Sequence, residues 1–591
     1  MIFRCLFILI FIHSFAIAQE FSSINPNDTL VFDILGAKHK QTFYVQSVEA
    51  NLVVDVYKNG YKINTINESN SINFPEIIRI EASNKSNYVL KIYAQSFLST
   101  IKNYSVKITP IINEKYSPHI DKYKLIEDLK FFKSIREEIN SGLYVYRSKK
   151  EIDSIYNWAF TEVIATKDIL DFYKIIVTLT DFEGSCHNGT QLPTVLDNYL
   201  EEIKYLPPIA FKNIGNKVVS NSENHKIPLG AEILSINGFD IQEITQRLSK
   251  YYHTDGFSKP FKEIFVYEKG FFEKYIIEFG VPINYKIIYK VDHKIQSIVL
   301  DNVSKKEYTK IYEKRYSAQY DEFQQSKKYS FTKINEDLYQ LSVRGFDFAS
   351  STDSEEYKAY EQFLEHSFQF LKDKNIQNLI IDLRYNKGGA GFLYEKLFTY
   401  LTDRPFRDSF YAYRNFEKIP YQDHFVITSY LRENSILNSH DFDKEILNYS
   451  PLQSNNRFYI SDEKNPLVFP SDLYFKGQLY LIIDENTASA AAHLSSLIKS
   501  YTNAIVIGKE TMGGYYEHNG HIPVEYQLPH SKILTRFSIM HVIQDAKILL
   551  DQPKGSGVKP HIAIHPTIEE FLNKEDVELK VIKKLVKEKS R

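Results

Sequence analysis

The stretch LYLIIDENTASAAAHLSSLIK, residues 479–499, contains an apolar run, a polar turn and a helical pattern in that order. The run Leu479–Ile483 predicts a buried strand, and the alanines after Ser489 predict the first turn of a helix. Ligands of open α/β sheets collect at the carboxyl ends of the strands, where Ser489 falls. Free N–H groups at a helix N-terminus suit a developing oxyanion. Ser489 is therefore a candidate nucleophile, although serine is also a common helix N-cap.

A second stretch, NLIIDLRYNKGGAGF at residues 378–392, repeats the order of strand, loop and helix. Its loop contains Gly388 and Gly389, and adjacent glycines permit backbone conformations that aim N–H groups at one point. With the N–H of Ala490 they are candidates for an oxyanion hole, and a turn that only begins a helix is the alternative. Strands and helices alternate from about Tyr329 onward, which predicts parallel strands with crossover helices.

These two stretches, with AIVIGKETMGG (504–514) and GVKPHIAIHPT (557–567), resemble the core of the C-terminal processing (tail-specific) serine peptidases. The resemblance extends over roughly residues 120–570. It implies an α/β catalytic core of the ClpP/crotonase-like kind. It also implies that the protein hydrolyses peptide bonds.

By the same resemblance, Ser489 takes the place of the nucleophile, and Gly388 or Gly389 with Ala490 takes the place of the oxyanion hole. One departure concerns the base. The best-known branch of the family has a lysine 25 residues after the serine, and this sequence has Gly514 at that position. The sequence therefore argues against a serine–lysine dyad.

The tricorn-like branch of the family instead places a histidine far upstream, in a glycine-flanked turn. The stretch TDFEGSCHNGTQL (180–192) resembles that turn and puts His187 in the place of the base. Imidazole titrates near neutrality, so it can accept the serine proton and return it to the leaving amine. The two residues are 302 positions apart, which is no objection because such groups meet in space. A structural histidine, one of 17, is the alternative.

The group that should orient the imidazole is not evident. The tricorn-like branch has a glutamate just before its closing segment, and here that region reads LLDQPKGSGVKP (549–560), without glutamate. Asp551 and Glu510 are weak candidates, and neither is assigned. Cys186 adjoins His187, but consecutive side chains usually point apart, so we expect no cysteine–histidine dyad.

Two other histidine patterns are expected to have no catalytic or metal-binding role. His493 follows Ser489 by one helical turn and is expected to pack in the core. The motif HNGH at 518–521 lacks the glutamate of a zinc-peptidase helix and contains glycine, so we expect no metal there. No phosphate-cradling loop or dinucleotide fingerprint is present, and we expect no cofactor.

The N-terminus, MIFRCLFILIFIHSFAIA, has the layout of a secretory signal peptide over residues 1–18. Arg4 precedes an apolar run, and Ala16–Ala18 is a small-x-small cleavage site; an uncleaved anchor is the alternative. The apolar run is too short to span a bilayer, and no later run approaches that length. We expect a secreted or periplasmic protein with no integral membrane segment. Only Cys186 would remain, which leaves no internal disulfide.

The whole sequence predicts several domains, since 591 residues exceed one hydrophobic core. A net charge of −2 gives no argument for nucleic acid. Alternating strands, then amphipathic helices, then a strand–turn–helix stretch similar to a PDZ domain precede the α/β core. The expected organisation is a signal peptide at 1–18, a β-sandwich at 19–115, a helical segment with His187 at 116–200, a PDZ-like and mixed region at 201–328, a peptidase core at 329–575 and a charged tail at 576–591.

We therefore expect a multidomain α+β protein: an exported serine endopeptidase that acts on a protein or peptide substrate through an acyl-enzyme. A non-catalytic binding protein that keeps the peptidase fold is the alternative, which the missing lysine and the unassigned acid favour. A crotonase-like enzyme acting on acyl-CoA thioesters would share this kind of core. Export and the lack of a phosphate-binding pattern argue against that third possibility.

Overall fold

The computed structural model describes residues 2–7, 19–35, 41–47, 49–67, 76–80, 86–97, 102–111, 120–166, 168–193, 204–223, 226–268, 270–316 and 327–589. Most of the expected signal peptide, residues 8–18, lies outside them. The strand Ile2–Phe7 pairs in parallel with Thr29–Leu35. Within the described ranges, none of the helices has the length and apolar character that a membrane crossing requires.

Two β-sheets form the N-terminal region and share one apolar core. Val54 and Ile92 from one sheet and Val45 and Val106 from the other belong to the same buried cluster. The region is therefore a β-sandwich, in agreement with its alternating pattern. The first sheet has the strand order Ile2–Phe7, Thr29–Leu35, Asn87–Phe97, Ala50–Lys58, Tyr61–Ile66, and the second has Gln19–Ile24, Tyr104–Ile111, Gln41–Gln46, Glu76–Ile80.

Three helices follow the sandwich where the spacing of apolar residues predicts helical structure. Residues 149–182 form two helices and not one continuous helix. The first stops at Thr166, which has extended backbone, and Asp168 then caps the next by accepting from the N–H of Asp171. The helices are Lys122–Ile139, Lys149–Ala165 and Ile169–Phe182.

The region from Lys204 to Tyr316 contains a six-stranded antiparallel sheet with short helices. Its buried residues and those of the three preceding helices form one continuous apolar cluster, so the helical and the mixed regions share a core. The strands of this sheet are Phe211–Ile214, Lys217–Ser220, Glu232–Ile236, Phe239–Asp240, Asn284–Val291 and Lys294–Asp301, and a separate two-stranded sheet consists of Lys204–Leu206 and Val303–Ser304. The helices are Ile241–Leu248, Ser249–Tyr251 (3-10), Pro260–Phe265, Phe271–Phe279 and Lys305–Glu313.

A third region is built on a six-stranded sheet that we call the core sheet. It contains the strands of the two sequence stretches at 378–392 and 479–499. Its strands are Tyr329–Asn335, Leu338–Val343, Asn378–Asp382, Gln478–Ile483, Ile505–Gly508 and Ile562–Ala563. All neighbours are parallel except the first pair. The helices Glu355–Asp373, Gly391–Thr399 and Ala490–Tyr501 lie between its strands in the chain. The prediction of parallel strands with crossover helices is confirmed.

A second sheet, here called the outer sheet, was not predicted from the sequence. It matters for the site because its edge strand, Gly189–Gln191, follows His187 directly and pairs antiparallel with residues 534–536. Its other strands are Leu534–Gln544, Glu517–Gln527, Ser409–Arg414, Arg457–Tyr459 and Leu452–Ser454. Nearby helices are Gln422–His424 (3-10), Ser429–Glu433 and Ser439–Tyr449.

The prediction of a charged tail at 576–591 is wrong. Residues Val577–Lys589 form a helix, preceded by the short helix Ile568–Leu572. Ile582 and Val586 are buried in the cluster that covers one face of the core sheet. Their four-residue spacing makes an apolar stripe along one face of the helix, which is hard to recognise because lysines are frequent in this segment.

Candidate active site

Ser489 occupies an unusual backbone position at the carboxyl end of the strand Gln478–Ile483. It immediately precedes the helix Ala490–Tyr501, with φ 48° and ψ −128°, and its side chain caps no N–H of that helix. Positive φ is uncommon outside glycine, and such strained positions cluster at functional sites. The side chain is half-buried and so reachable from solvent. These features do not fit the alternative of an ordinary helix N-cap.

Two glycines make room for this serine. A Cβ on Gly388 would lie 2.7 Å from the Ser489 Cβ and 2.8 Å from the backbone N of Ala490, and Gly388 itself has φ +96°. A Cβ on Gly513 would lie 3.1 Å from the Ser489 N. Only glycine therefore lets the loops at the ends of adjacent strands approach Ser489 this closely.

Of the three candidate oxyanion donors, one N–H group already has a hydrogen-bond acceptor, and the other two have none among the described residues. The Gly388 N–H donates to Asn386 Oδ1 at 2.9 Å. Among the described residues, neither the Gly389 N–H nor the Ala490 N–H has an acceptor. Gly389 is held by the backbone of Phe346, whose carbonyl oxygen would lie 2.0 Å from a Cβ at position 389. The open pair, Gly389 and Ala490, suits an oxyanion better than Gly388 does.

His187 meets Ser489 in space, although 302 residues separate them. Its Nε2 lies 3.2 Å from Ser489 Oγ, within hydrogen-bond distance. The ring is carried on the turn between the helix Ile169–Phe182 and the edge strand Gly189–Gln191. Burial lowers the pKa of His187 below its ordinary value of 6.5, and the Asp255 carboxylate opposes that effect. The imidazole is therefore neutral at pH 7, which is the state that accepts a proton.

Asp255 is a buried carboxylate beside the imidazole that sequence reasoning missed. Its oxygens accept from the Cys186 N–H and the Gly514 N–H, each at 2.8 Å. Burial raises the pKa of Asp255, and the nearby His187 lowers it. Hydrogen bonding with the Asn519 backbone raises the pKa of His187. The only local signal of Asp255 is an Asp-Gly pair, which is typical of any turn.

Gly514 shows why the usual lysine is absent. A Cβ at this position would lie 2.4 Å from the Glu517 carbonyl and 2.8 Å from the Tyr146 hydroxyl. Tyr146 itself donates to that carbonyl. The space that a lysine side chain would need is therefore filled, and the Gly514 N–H is used to hold Asp255.

The two acids considered from the sequence lie elsewhere. Asp551 is half-exposed and paired with Lys499 at 2.8 Å. Glu510 accepts from the N–H of Gly557 at 2.9 Å. Neither has a described hydrogen bond or ion pair with His187.

The expectation that Cys186 and His187 point apart is wrong. The tight turn after the helix Ile169–Phe182 curls both side chains to one side, so that Cys186 Sγ lies 3.5 Å from His187 Nδ1. Burial raises the pKa of the Cys186 thiol, and the Asp255 carboxylate raises it further. His493 is buried, as expected of a packing residue, with Nδ1 3.8 Å from Asp408.

A buried polar network supports the histidine turn from behind. Glu183 accepts from the side chain of Asn188, the residue after His187, at 2.7 Å. Arg136 lies 3.3 Å from the same carboxylate. Asn140 accepts from the side-chain amide of Asn519 at 2.6 Å. The turn is thereby fixed to the first helix and to the outer sheet.

Comparison with known proteins agrees with this architecture. Residues 342–564 match the family described as peptidase family S41. A structure of mature CPAF in complex with lactacystin is 14% identical over 79% of this chain and 98% of that one, with a TM-score of 0.50. Another crystal structure of mature CPAF is 14% identical over 79% of this chain and 97% of that one, with a TM-score of 0.51.

At this identity the two solved structures establish a shared fold only. None of the curated protein sequences with which the chain was compared matches it. The family match covers Gly388, Gly389, the serine turn and four strands of the core sheet: Asn378–Asp382, Gln478–Ile483, Ile505–Gly508 and Ile562–Ala563. The similarity to peptidase family S41 is thus limited to residues 342–564, which is less than half of the chain.

Proposed function

We propose that this protein is an exported serine endopeptidase of the tricorn-like kind, in which Ser489 is the nucleophile and His187 is the base. The observation that carries the proposal is the 3.2 Å separation of His187 Nε2 and Ser489 Oγ. A serine hydroxyl is a weak nucleophile until an adjacent base takes its proton. Among the described residues, no lysine or second histidine is hydrogen-bonded to Ser489 Oγ.

Acylation follows from this geometry. Ser489 Oγ attacks the carbonyl carbon of a peptide bond while its proton passes to His187 Nε2. The imidazolium then donates that proton to the leaving amine as the C–N bond breaks, which leaves an ester on Ser489. Water, deprotonated by His187, hydrolyses the ester and restores both side chains.

The open N–H groups of Gly389 and Ala490 are assigned to the oxyanion that forms on the carbonyl oxygen. Fixed donors in a water-poor site stabilise this charge without reorganisation. The Asn519 carbonyl and the Asp255 carboxylate are assigned to the imidazole. The carbonyl accepts the proton that remains on the ring, and the carboxylate stabilises the imidazolium. This division replaces the single glutamate of the resembled branch.

A protein or peptide strand is the proposed substrate. The strand Glu232–Ile236 and the helix Ile241–Leu248, with Asp240 as its N-cap, have the strand–turn–helix order of a PDZ domain. PDZ domains bind an extended chain by adding it to a sheet edge. We assign this segment to substrate presentation and the N-terminal sandwich to an accessory role.

The function is tested by incubating the purified protein with an unfolded protein chain and identifying the fragments by mass spectrometry. Wild type is expected to produce internal cleavages. Ser489→Ala and His187→Ala are expected to lower the rate by about 10⁴-fold or more, as loss of members of a serine triad does. The matched controls Ser351→Ala and His366→Ala change exposed residues and are expected to cleave at the wild-type rate.

Two outcomes would contradict the proposal. Cleavage that persists in Ser489→Ala would assign the chemistry to other residues. A correctly folded wild type that cleaves no substrate and binds chains unchanged would favour the alternative of a peptidase fold used only for binding.

Export is tested separately, by expressing the gene in a bacterium with a periplasm and measuring the intact mass of the product. Cleavage after Ala18 in the small-x-small site would give a protein that begins at Gln19. Recovery of the full-length chain from the cytoplasm would contradict this part of the proposal.

A further inference from the structure

The Cys186 thiol has no part in the proposed chemistry, yet it lies against the base. Its Sγ, a ring nitrogen of His187 and a carboxylate oxygen of Asp255 all lie within 4.8 Å of one another. Such a set of sulfur, nitrogen and oxygen donors is what Zn²⁺ and similar borderline cations bind in proteins.

From this cluster we infer that the protein has an inhibitory site for a thiophilic divalent cation such as Zn²⁺, ligated by Cys186, His187 and Asp255. The consequence for catalysis rests on the proposed function, but the metal binding itself does not.

The spacing of the donors is close to what coordination needs. Bonds of 2.0–2.3 Å in a tetrahedral site put ligand atoms roughly 3.3–3.8 Å apart. Cys186 Sγ and His187 Nδ1 are already 3.5 Å apart. Asp255 is fixed by the N–H groups of Cys186 and Gly514, and each of its oxygens keeps a free lone pair. The other separations are at most 4.8 Å, so closing the site around an ion requires them to shorten by about 1 Å.

The charges of the site also favour a cation. Asp255 is a buried carboxylate whose described neighbours include the neutral His187 but no lysine or arginine in an ion pair. A bound Zn²⁺ would supply the missing positive charge and make the thiolate the stable form of Cys186. Cys186 and His187 are only partly buried, so an ion can reach them from solvent.

Occupation of the site would stop the proposed reaction through the histidine tautomer. In the catalytic state the imidazole proton is on Nδ1 and the lone pair on Nε2 faces Ser489 Oγ. A metal on Nδ1 displaces that proton, and the neutral ring then carries its single proton on Nε2. The ring cannot accept the Ser489 proton in that form. Cys186 loses its own proton to solvent, and nothing is oxidised or reduced.

The test is a titration of the full-length protein with Co²⁺, followed by absorption spectroscopy and by equilibrium dialysis against Zn²⁺. We expect one ion per chain and a sulfur-to-cobalt charge-transfer band in the near ultraviolet. Cys186→Ser should abolish the band. Asp255→Asn should weaken Zn²⁺ binding by more than the roughly 10–100-fold that loss of an outer-shell partner costs.

His541→Gln is the matched control, because His541 also lies beside a carboxylate, Glu517 at 2.9 Å, without a thiol near it. It should leave the band intact. Circular dichroism melts show whether each variant is folded. They therefore distinguish loss of the cobalt band through unfolding from loss of a ligand. A wild type without stoichiometric binding, or a band that survives in Cys186→Ser, would overturn the inference.

The inhibitory consequence is measured with a serine-directed fluorophosphonate probe. The labelling rate of each variant is compared with its own rate after EDTA treatment. Zn²⁺ should suppress labelling of wild type reversibly and have little effect on Cys186→Ser. Equal suppression in both would contradict inhibition at this site. Failure of EDTA-treated wild type to label would contradict the proposed function, whereas the cobalt spectrum would still decide the metal site.

Discussion

At the scale of single residues, the site depends on three glycines, at positions where the side chain of any other residue would clash with its neighbours. Gly388 and Gly513 let the strand-end loops approach Ser489, and Gly514 leaves room for the Tyr146 hydroxyl. The same position explains the choice of base. At the position where a lysine would enter, the Gly514 N–H holds Asp255, and the proposed base, His187, lies on a distant turn.

The close approach of Gly388 predicts the effect of one added methyl group. Gly388→Ala would place Cβ 2.7 Å from the Ser489 Cβ, so Ser489 must move and labelling by a fluorophosphonate should fall by about 100-fold or more. Gly280→Ala is the matched control, because Gly280 has a similar φ of +82° with nothing within 4 Å. Equal labelling rates in the two variants would contradict the packing described here.

The environment of His187 predicts the pH dependence. Burial lowers its pKa below 6.5, so the labelling rate should be constant near pH 7 and fall only in more acidic solution. Asp255 raises this pKa by stabilising the imidazolium. Asp255→Asn should therefore move the acidic limb to lower pH and reduce the plateau. A pH–rate profile checks both effects, and a limb that does not move would remove Asp255 from the site.

At the scale of elements, the site is made by two loops at the carboxyl ends of adjacent parallel strands. Asn386 joins them: its Oδ1 accepts from Gly388 N–H, its carbonyl accepts from Ala488 N–H, and its Nδ2 donates to the Val343 carbonyl. The first loop positions the candidate oxyanion donor, and the second positions the serine. One buried side chain therefore sets the relative position of both.

Asn386→Ala should lower both stability and labelling. It leaves the Gly388 N–H and the Val343 carbonyl without partners, at about 1–3 kcal/mol for each buried group. Asn378→Ala is the control. Asn378 donates to Asp337 at the start of the strand Asn378–Asp382, whereas Asn386 lies in the loop after the end of that strand. Thermal melts and labelling rates should show that the control loses stability alone. Equal losses of labelling would mean that Asn386 acts only through stability.

The charged cluster at the end of the strand Asn378–Asp382 predicts a larger loss of stability. Asp382 is fully buried and bonds both Arg344 and Arg384, and these arginines hold its pKa well below the ordinary range. Asp382→Asn removes the buried carboxylate that Arg344 and Arg384 share, although Arg384 keeps its ion pairs with Asp576 and Glu578, and it should cost about 3–5 kcal/mol in urea unfolding. Because the folded pKa is depressed, the stabilisation is present at neutral pH and is lost only in strong acid.

At the scale of the whole molecule, Ser489 and His187 belong to regions with different apolar cores. The serine turn packs with the core sheet. The histidine turn follows the helix Ile169–Phe182, whose buried residues share an apolar core with those of the region 204–316. The outer sheet and Asp255 join the two regions. The N-terminal sandwich has a core of its own, whose buried members come only from residues 24–108.

This separation predicts that the sandwich is not needed for the chemistry. A chain that begins at Ile120 should fold and label at the rate of the full-length protein, because no described hydrogen bond of Ser489, His187 or Asp255 involves the sandwich. Stopped-flow labelling of the two proteins tests this. A large loss of rate in a correctly folded shorter chain would assign the sandwich a part in the site.

The sequence was sufficient for the parts of the molecule that local pattern determines. Alternation indicated the sandwich, and the two strand–loop–helix stretches indicated the parallel core sheet with Ser489 and the glycines at its carboxyl edge. The outer sheet was missed because its strands come from segments far apart in the chain: Gly189 pairs with Arg536, which lies 347 residues later. Asp255 was missed for the same reason, since only the fold brings an ordinary turn acid to His187.

In the proposed mechanism, Ser489 becomes the nucleophile because His187 takes its proton. The most direct measurement is labelling of the EDTA-treated protein with a fluorophosphonate, followed by peptide mapping of the adduct in wild type and in His187→Ala. The account predicts one adduct per wild-type chain, on Ser489, and none in the variant on the same timescale. An adduct on another residue, or undiminished labelling of Ser489 without His187, would contradict it.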